Sequence, residues 1–194
     1  MTFRRALVQR CEGAKVKNLI SLGGQHQGVY GVPNCPKLLF PVCDLMKWAI
    51  NFGGYWSFFQ EKFVQFTFWH NPLNEKAYIE HSTFLADINN EKQINQEYVE
   101  RLKKLENFVM VKYENDQMVI PVESSWFGFY EPGQAKKVLA LKETRIYLDD
   151  QLGLREMDHQ KKLHFLSFPG GHLQGNWDLF KQNIIEKFLR TLPN

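Results

Sequence analysis

The sequence predicts an α/β protein built on a parallel sheet. Short apolar runs alternate along the chain with segments of helical periodicity, which is the pattern of such a sheet. Three of the runs lead directly into segments rich in Gly, Asn or Pro, as buried parallel strands do where they enter loops. A length of 194 residues, with 44% hydrophobic and 14% aromatic content, suffices for one domain with its own core. We therefore interpret residues 1–194 as a single domain.

Hydrophobic periodicity places the individual elements. The strands are expected at residues 17–22 (KNLISL), 108–113 (FVMVKY) and 163–168 (LHFLSF). Helices are expected at residues 3–11, 42–51, 55–66, 96–106, 149–157 and 177–192. The last helix carries an apolar stripe that should lie on the sheet. The segment from about residue 32 to about residue 106 interrupts the strand pattern and is interpreted as a helical insertion within the domain.

The insertion is unusually aromatic between Phe40 and Trp69. Aromatic side chains at helical spacing most often form only a core, but such a set can also line a groove for a long acyl chain, where each buried methylene contributes roughly 0.8 kcal/mol. We expect both uses: Phe59 and Phe63 hold the insertion together, and part of the remainder forms a lipid-facing wall. The candidate groove residues are Trp48, Phe52, Trp56 and Phe59.

Charge and hydropathy exclude several function classes. The net charge of +3 comes from 24 basic and 21 acidic residues that are mixed along the chain, so no basic stripe indicates a nucleic-acid partner. No apolar run approaches the roughly 18 residues that a transmembrane helix needs. The first residues lack the apolar segment of a signal peptide.

Two polar residues follow predicted strands. Asp116 comes three residues after the second strand, and His172 follows two glycines after the third. At the carboxyl edge of a parallel sheet, an Asp can orient the imidazole of a His that acts as general base. Each residue also has a simpler interpretation, since Asp is common in turns and His in exposed loops. Their order along the chain and their shared position after strands favour a catalytic acid and base.

A nucleophile for this pair is not evident. In α/β-hydrolases a Gly-x-Ser-x-Gly turn precedes the Asp and the His, and this chain contains no such sequence. None of its six serines lies between small residues on a strand-to-helix turn. We therefore expect the nucleophilic Ser upstream of this chain. His26, in a loop after the first strand, is the rival base but has no neighbouring acid, and no His pair has metal-ligand spacing, so we predict neither metal nor cofactor.

The three cysteines leave two interpretations open. Cys35 and Cys43 bracket a short Pro-containing segment, while Cys11 stands apart. An odd count with one close pair is typical of one disulfide plus a single thiol, but three reduced cysteines of an intracellular protein fit the sequence equally well.

Several segments resemble the palmitoyl-protein thioesterase family. They are NLISLGGQHQGVYGVPNCP at residues 18–36, FLADINNE at 84–91, FVMVKYEND at 108–116, SSWFGFYEPGQAK at 124–136, LGLREMD at 152–158 and GHLQ at 171–174. The resemblance extends over nearly the whole chain. It implies an α/β-hydrolase fold whose first strands precede residue 1, with a helical insertion that forms a fatty-acyl groove.

The resemblance also implies a function. It places the family's catalytic Asp at Asp116 and its His at His172, in a lysosomal enzyme that needs no cofactor and hydrolyses fatty acyl thioesters of S-palmitoylated proteins or peptides. Cys35 and Cys43 match a disulfide of the family, and Cys11 matches a cysteine whose partner lies upstream. The alternative is a truncated, catalytically inactive relative that acts only as a binding protein or is an unstable product. A lipid-binding module without chemistry is a third interpretation.

Overall fold

The computed structural model describes residues 2–32 and 40–190, and for residues 40–43 it describes only the backbone. The predicted pair of Cys35 and Cys43 therefore lies outside the described side chains. Cys11 is exposed and forms no disulfide in the described part of the chain.

The elements alternate as the sequence predicts. The strands are, in chain order, β1 (Asn18–Leu22), β2 (Asn107–Tyr113), β3 (Phe129–Tyr130), β4 (Val138–Leu139) and β5 (Leu163–Phe168). The α-helices are α1 (Thr2–Arg10), α2 (Phe40–Gly53), α3 (Ser57–Lys62), α4 (Glu75–His81), α5 (Leu85–Ile88), α6 (Gln96–Lys103), α7 (Arg145–Leu148), α8 (Leu154–His159) and α9 (Trp177–Phe180). Three 3-10 helices (Val64–Phe68, Val122–Trp126 and Leu141–Glu143) and a π-helix (Lys181–Leu189) complete the described chain.

The three predicted strands form one parallel sheet in the order β1-β2-β5. The predicted bounds agree with the observed strands to within one residue. The central strand β2 is buried on both faces, because alternate side chains point to opposite sides. Phe108 and Met110 pack into one apolar cluster, and Val111 and Tyr113 pack into another. Because a strand that is buried on both faces needs apolar side chains at successive positions, the sequence shows continuous apolar runs there.

Helix α1 packs against α6 and carries a buried cation. The guanidinium of Arg5 is completely buried and lies 4.9 Å from the ring centroid of Phe127. Its Nη2 donates to Oδ1 of Asn89 at 2.6 Å. Burial lowers the pKa of Arg5 to about 9. This contact joins α1 to the end of α5 through a charge-assisted hydrogen bond.

Two helical predictions need correction. The segment 149–157 is not one helix: α7 ends at Leu148, α8 begins at Leu154, and the turn between them places Asp150 and Gly153 at φ angles of +51° and +73°. Left-handed residues cannot continue a right-handed helix. The segment 55–66 is also divided, into α3 and the 3-10 helix Val64–Phe68.

The C-terminal stripe only partly faces the sheet. Ile184 is fully buried and Phe180 packs against the same apolar cluster, whereas Trp177 is largely exposed. Within residues 2–32 and 40–190, every helix is too short or too polar to span a bilayer.

We expect the core around α6 to dominate stability. Leu102 is fully buried in a cluster with Phe108 and Leu152, so Leu102→Ala should lower the free energy of unfolding by roughly 2 to 5 kcal/mol in urea titrations. The matched control is Leu148→Ala on α7, where the side chain is exposed, and its effect should stay within about 0.5 kcal/mol. Equal losses in the two variants would contradict the assignment of this core.

Candidate active site

The site lies where β2 and β5 end. The two strands are neighbours, with Tyr113 paired to Phe168 at their last residues. Backbone bonds continue past the strands: the N–H of Glu114 donates to the carbonyl of Phe168 at 3.0 Å, and the N–H of Asn115 donates to that of Gly170 at 3.1 Å. The two following loops are thus joined directly before Asp116 and His172.

Asp116 and His172 form a hydrogen-bonded pair. Nδ1 of His172 lies 2.7 Å from Oδ2 of Asp116. The other carboxylate oxygen, Oδ1, accepts hydrogen bonds from the backbone N–H groups of Met118 at 2.8 Å and Val119 at 3.0 Å. Asp116 is buried, whereas the His172 side chain is 27% exposed. Because an ionised carboxylate only accepts, Nδ1 carries the hydrogen and Nε2 is left for proton exchange.

Gly23, directly after β1, makes room for this pair. Gly23 has a φ angle of +56°, and a Cβ atom there would lie 2.9 Å from Cε1 of His172. Its N–H donates to the carbonyl of Val111 at 2.9 Å, which fixes the loop to the sheet. A side chain at this position would displace the imidazole, so the arrangement requires glycine at position 23.

His26 belongs to the core. Its ring is fully buried and stacks on Phe127 at a centroid distance of 4.6 Å, and its Nε2 lies 2.9 Å from Oγ of Ser21. Burial, together with the nearby charge of Arg5, lowers the pKa of His26 well below its usual value. A neutral, enclosed imidazole of this kind cannot reach a substrate.

An apolar cavity of about 390 Å³ is lined in part by the loop that follows Asp116. Its lining residues are Gln25, Val29, Gly31, Ile50, Val64, Gln65, Phe66, Phe68, Trp69 and Met118. Met118 connects the cavity to Asp116, because it lines the cavity and its backbone N–H donates to Oδ1 of Asp116. Gln25, two residues after Gly23, also lines the cavity. The cavity wall therefore includes one residue from the loop of Asp116 and one from the loop that crowds His172.

The four aromatic groove candidates lie outside the lining of this cavity. Trp48, Phe52 and Trp56 are between 56% and 69% exposed. Their rings contact one another in sequence, with centroid distances of 6.1 Å from Trp48 to Phe52 (stacked), 5.8 Å from Phe52 to Trp56 (edge-to-face) and 6.3 Å from Trp56 to Phe59 (tilted). Phe59 then contacts Phe66 of the cavity wall at 5.2 Å. The assignment of these four residues to an acyl groove stays a prediction.

A second polar cluster, which sequence reasoning missed, surrounds His70. The ring is enclosed between Tyr78 at 3.7 Å and Phe129 at 4.1 Å. Nδ1 lies 2.6 Å from the carbonyl oxygen of Gln27, and Nε2 lies 3.0 Å from both carboxylate oxygens of Glu75. Both ring nitrogens face acceptors, so only the doubly protonated imidazolium satisfies both bonds.

The charge state of His70 follows from these partners. Burial alone would lower its pKa, but the hydrogen bond and charge of Glu75 raise the pKa above its usual value of 6.5. Burial raises the pKa of neighbouring Glu91, to which the Tyr78 hydroxyl donates. No group of three or more His, Cys, Asp or Glu side chains in the described part of the chain is arranged to hold a metal ion.

The comparisons with known proteins agree with this architecture. The family model described as palmitoyl protein thioesterase matches residues 1–172. The chain belongs to this family. The family has the α/β-hydrolase fold, so the predicted fold class is confirmed.

Individual relatives match almost the whole chain. Palmitoyl-protein thioesterase 1 of Caenorhabditis elegans is 41% identical over 186 residues, which are 96% of this chain and 62% of that protein. A palmitoyl-protein thioesterase-dolichyl pyrophosphate phosphatase fusion of Schizosaccharomyces pombe is 33% identical over 96% of this chain and 30% of its own length. Human lysosomal thioesterase PPT2 is 32% identical over 79% of this chain and 50% of its own length. The chain thus spans less than two thirds of the length of these relatives.

We expect the His70 cluster to make stability depend on pH. A group whose pKa is higher in the folded than in the unfolded protein adds to the free energy of unfolding. This stabilisation is complete below the unfolded pKa and is lost as pH rises through the folded pKa. His70→Gln should therefore lower the free energy of unfolding more at pH 5 than at pH 9, as measured by urea titration. His81→Gln is the control, because His81 is exposed. If His70→Gln lowered the free energy of unfolding equally at both pH values, the result would contradict a charged His70.

Proposed function

We propose that the protein containing this chain hydrolyses the thioester bond between a long-chain fatty acid and a cysteine side chain of a protein. The observation that carries the proposal is the hydrogen bond between His172 and buried Asp116, beside an apolar cavity, in a member of this family. The pair supplies a base and its orienting acid. The cavity supplies a site for an apolar substituent.

The proposed reaction proceeds through an acyl-enzyme. A serine oxygen attacks the thioester carbonyl while Nε2 of His172 takes the serine proton. The C–S bond then breaks, and the cysteine sulfur leaves with that proton. Water attacks the new ester, His172 takes a proton from the water and returns it to the serine oxygen, and the free fatty acid leaves. Asp116 stabilises the imidazolium that forms in each half.

We propose that the nucleophilic serine comes from a segment upstream of this chain. The described serines support this, since several of their hydroxyls serve other contacts. Ser21 bonds to His26, Ser124 accepts from the N–H of Gln27, and Ser167 donates to Glu114. None of these positions is a strand-to-helix turn, where hydrolases expose their nucleophile.

The acyl chain is proposed to enter the apolar cavity, with the helical insertion of residues 32–106 forming most of its wall. Ile50, Val64, Phe66 and Trp69 all come from that segment. Each methylene removed from water contributes roughly 0.8 kcal/mol, which corresponds to about a fourfold gain in binding. Trp48, Phe52, Trp56 and Phe59 are proposed to extend this wall outward as the rim of the groove.

The proposed substrates are S-palmitoylated proteins or peptides and fatty acyl thioesters, and the proposed location is the lysosome. Two relatives support the location by name, the lysosomal thioesterases PPT2 of human and PPT2-B of Xenopus laevis.

Removal of either member of the pair should abolish turnover. We expect His172→Ala and Asp116→Asn to lower kcat for a fatty acyl thioester by about 100-fold or more, because general acid–base catalysis typically contributes 10² to 10⁴. The assay follows thiol release, with circular dichroism to verify the fold. The matched controls are His81→Ala and Asp178→Asn, at exposed positions. Retained activity in either test variant would reject the assignment.

A bulky residue in the cavity should change chain-length preference. Ile50→Trp fills part of the space that would hold the distal methylenes. We expect kcat/KM for a hexadecanoyl thioester to fall about tenfold or more relative to a butanoyl thioester. Ile94→Trp, at an exposed position, is the control. A uniform loss for both chain lengths would show that the acyl chain binds elsewhere.

A further inference from the structure

The outer face of α2 and α3 is an exposed aromatic surface. Trp48 and Phe52 on α2 are 64% and 69% exposed, and Trp56 and Phe58 follow at 56% and 61%. Leu45 and Met46, also on α2, are 63% and 49% exposed. We call Trp48, Phe52, Trp56 and Phe58 the aromatic ridge. A contiguous surface of this kind marks an interaction site rather than ordinary exposed side chains.

The ridge is continuous with the apolar cavity. The ring contacts run from Trp48 through Phe52 and Trp56 to Phe59, and Phe59 contacts Phe66 of the cavity wall. Helix α2 also contributes Ile50 to the cavity lining, and Val64 lines the cavity from the 3-10 helix that follows α3. Whatever covers the ridge is therefore close to the wall of the cavity.

The charges on the two helices do not favour a charged partner. Asp44 and Glu61 balance Lys47 and Lys62 among the described residues of α2 and α3. The ammonium of Lys47 lies 3.8 Å from the ring centroid of Tyr30, so it is directed to an aromatic face. The partner is thus recognised by apolar and aromatic contact rather than by charge.

Trp and Phe side chains in this arrangement suit the boundary between the headgroups and the acyl chains of a bilayer, where an apolar face is buried and a Trp ring can keep its N–H near water. On the function proposed above, the substrate's acyl chain starts in such a bilayer. We propose that the aromatic ridge docks on the surface of a lipid membrane, which brings the adjoining cavity wall close to the level where an S-acyl chain leaves the bilayer. This inference rests on the proposed function and adds the membrane as its partner.

Vesicle binding tests the proposal. The purified protein is sedimented with phosphatidylcholine vesicles in the absence of any thioester, at low and at high salt. We expect the unaltered protein to bind the vesicles at low and at high salt. The partition coefficient of the double variant Trp48→Ala and Phe52→Ala should be reduced by about tenfold or more, because burying one such side chain contributes at least that factor. Trp177→Ala is the matched control, since Trp177 is 65% exposed but lies on α9.

Three outcomes would overturn the proposal. They are no binding of the unaltered protein to vesicles, binding that high salt abolishes, and equal loss in the Trp177→Ala control. Self-association that the double variant removes, without vesicle binding, would assign the ridge to a second copy of the chain and also reject the membrane. Hydrolysis of a short, water-soluble thioester by the unaltered protein is measured separately, so failure of docking is distinguishable from failure of the proposed function.

Discussion

The parallel register of β2 and β5 is the constraint on which the site depends. The ladder between these strands ends with Tyr113 opposite Phe168, and two further backbone hydrogen bonds join the loops beyond them. A shift of one residue would turn the buried side chains of β2 to the opposite faces of the sheet. It would also move Asp116 relative to His172 and break a contact of 2.7 Å. The apolar clusters on the two faces therefore hold the register, and the register holds Asp116 beside His172.

The buried acid is stabilised by its fixed neighbours. Removing a carboxylate from water is costly unless hydrogen bonds replace the lost solvent. Asp116 receives two backbone N–H groups on one oxygen and the imidazole on the other. The same loop continues to Met118 in the cavity wall, so the geometry of the acid and the shape of the apolar cavity are set together. An acyl chain in the cavity would in this way be fixed relative to His172.

Much of this arrangement can be predicted from the sequence, because the decisive signals are local. Continuous apolar runs mark the three strands, and the polar residues after them mark the carboxyl edge of the sheet. The His70 cluster could not be predicted, since Gln27 and Phe129 reach His70 from segments far apart in the chain. Periodicity also failed at Gly153, where a left-handed residue interrupts an otherwise helical pattern. Likewise, an aromatic stripe looks the same in sequence whether it is buried or exposed, and only the packing of α2 and α3 distinguishes the two.

The most direct test of the account is to locate the nucleophile that His172 is proposed to activate. The protein is purified from its native cells and treated with a fluorophosphonate that labels activated serines, and the labelled peptide is identified by mass spectrometry. The account predicts one labelled serine on a peptide upstream of residues 1–194, with labelling lost when His172 is replaced by Ala. A label on any of the six serines of this chain, or labelling that persists without His172, would contradict it.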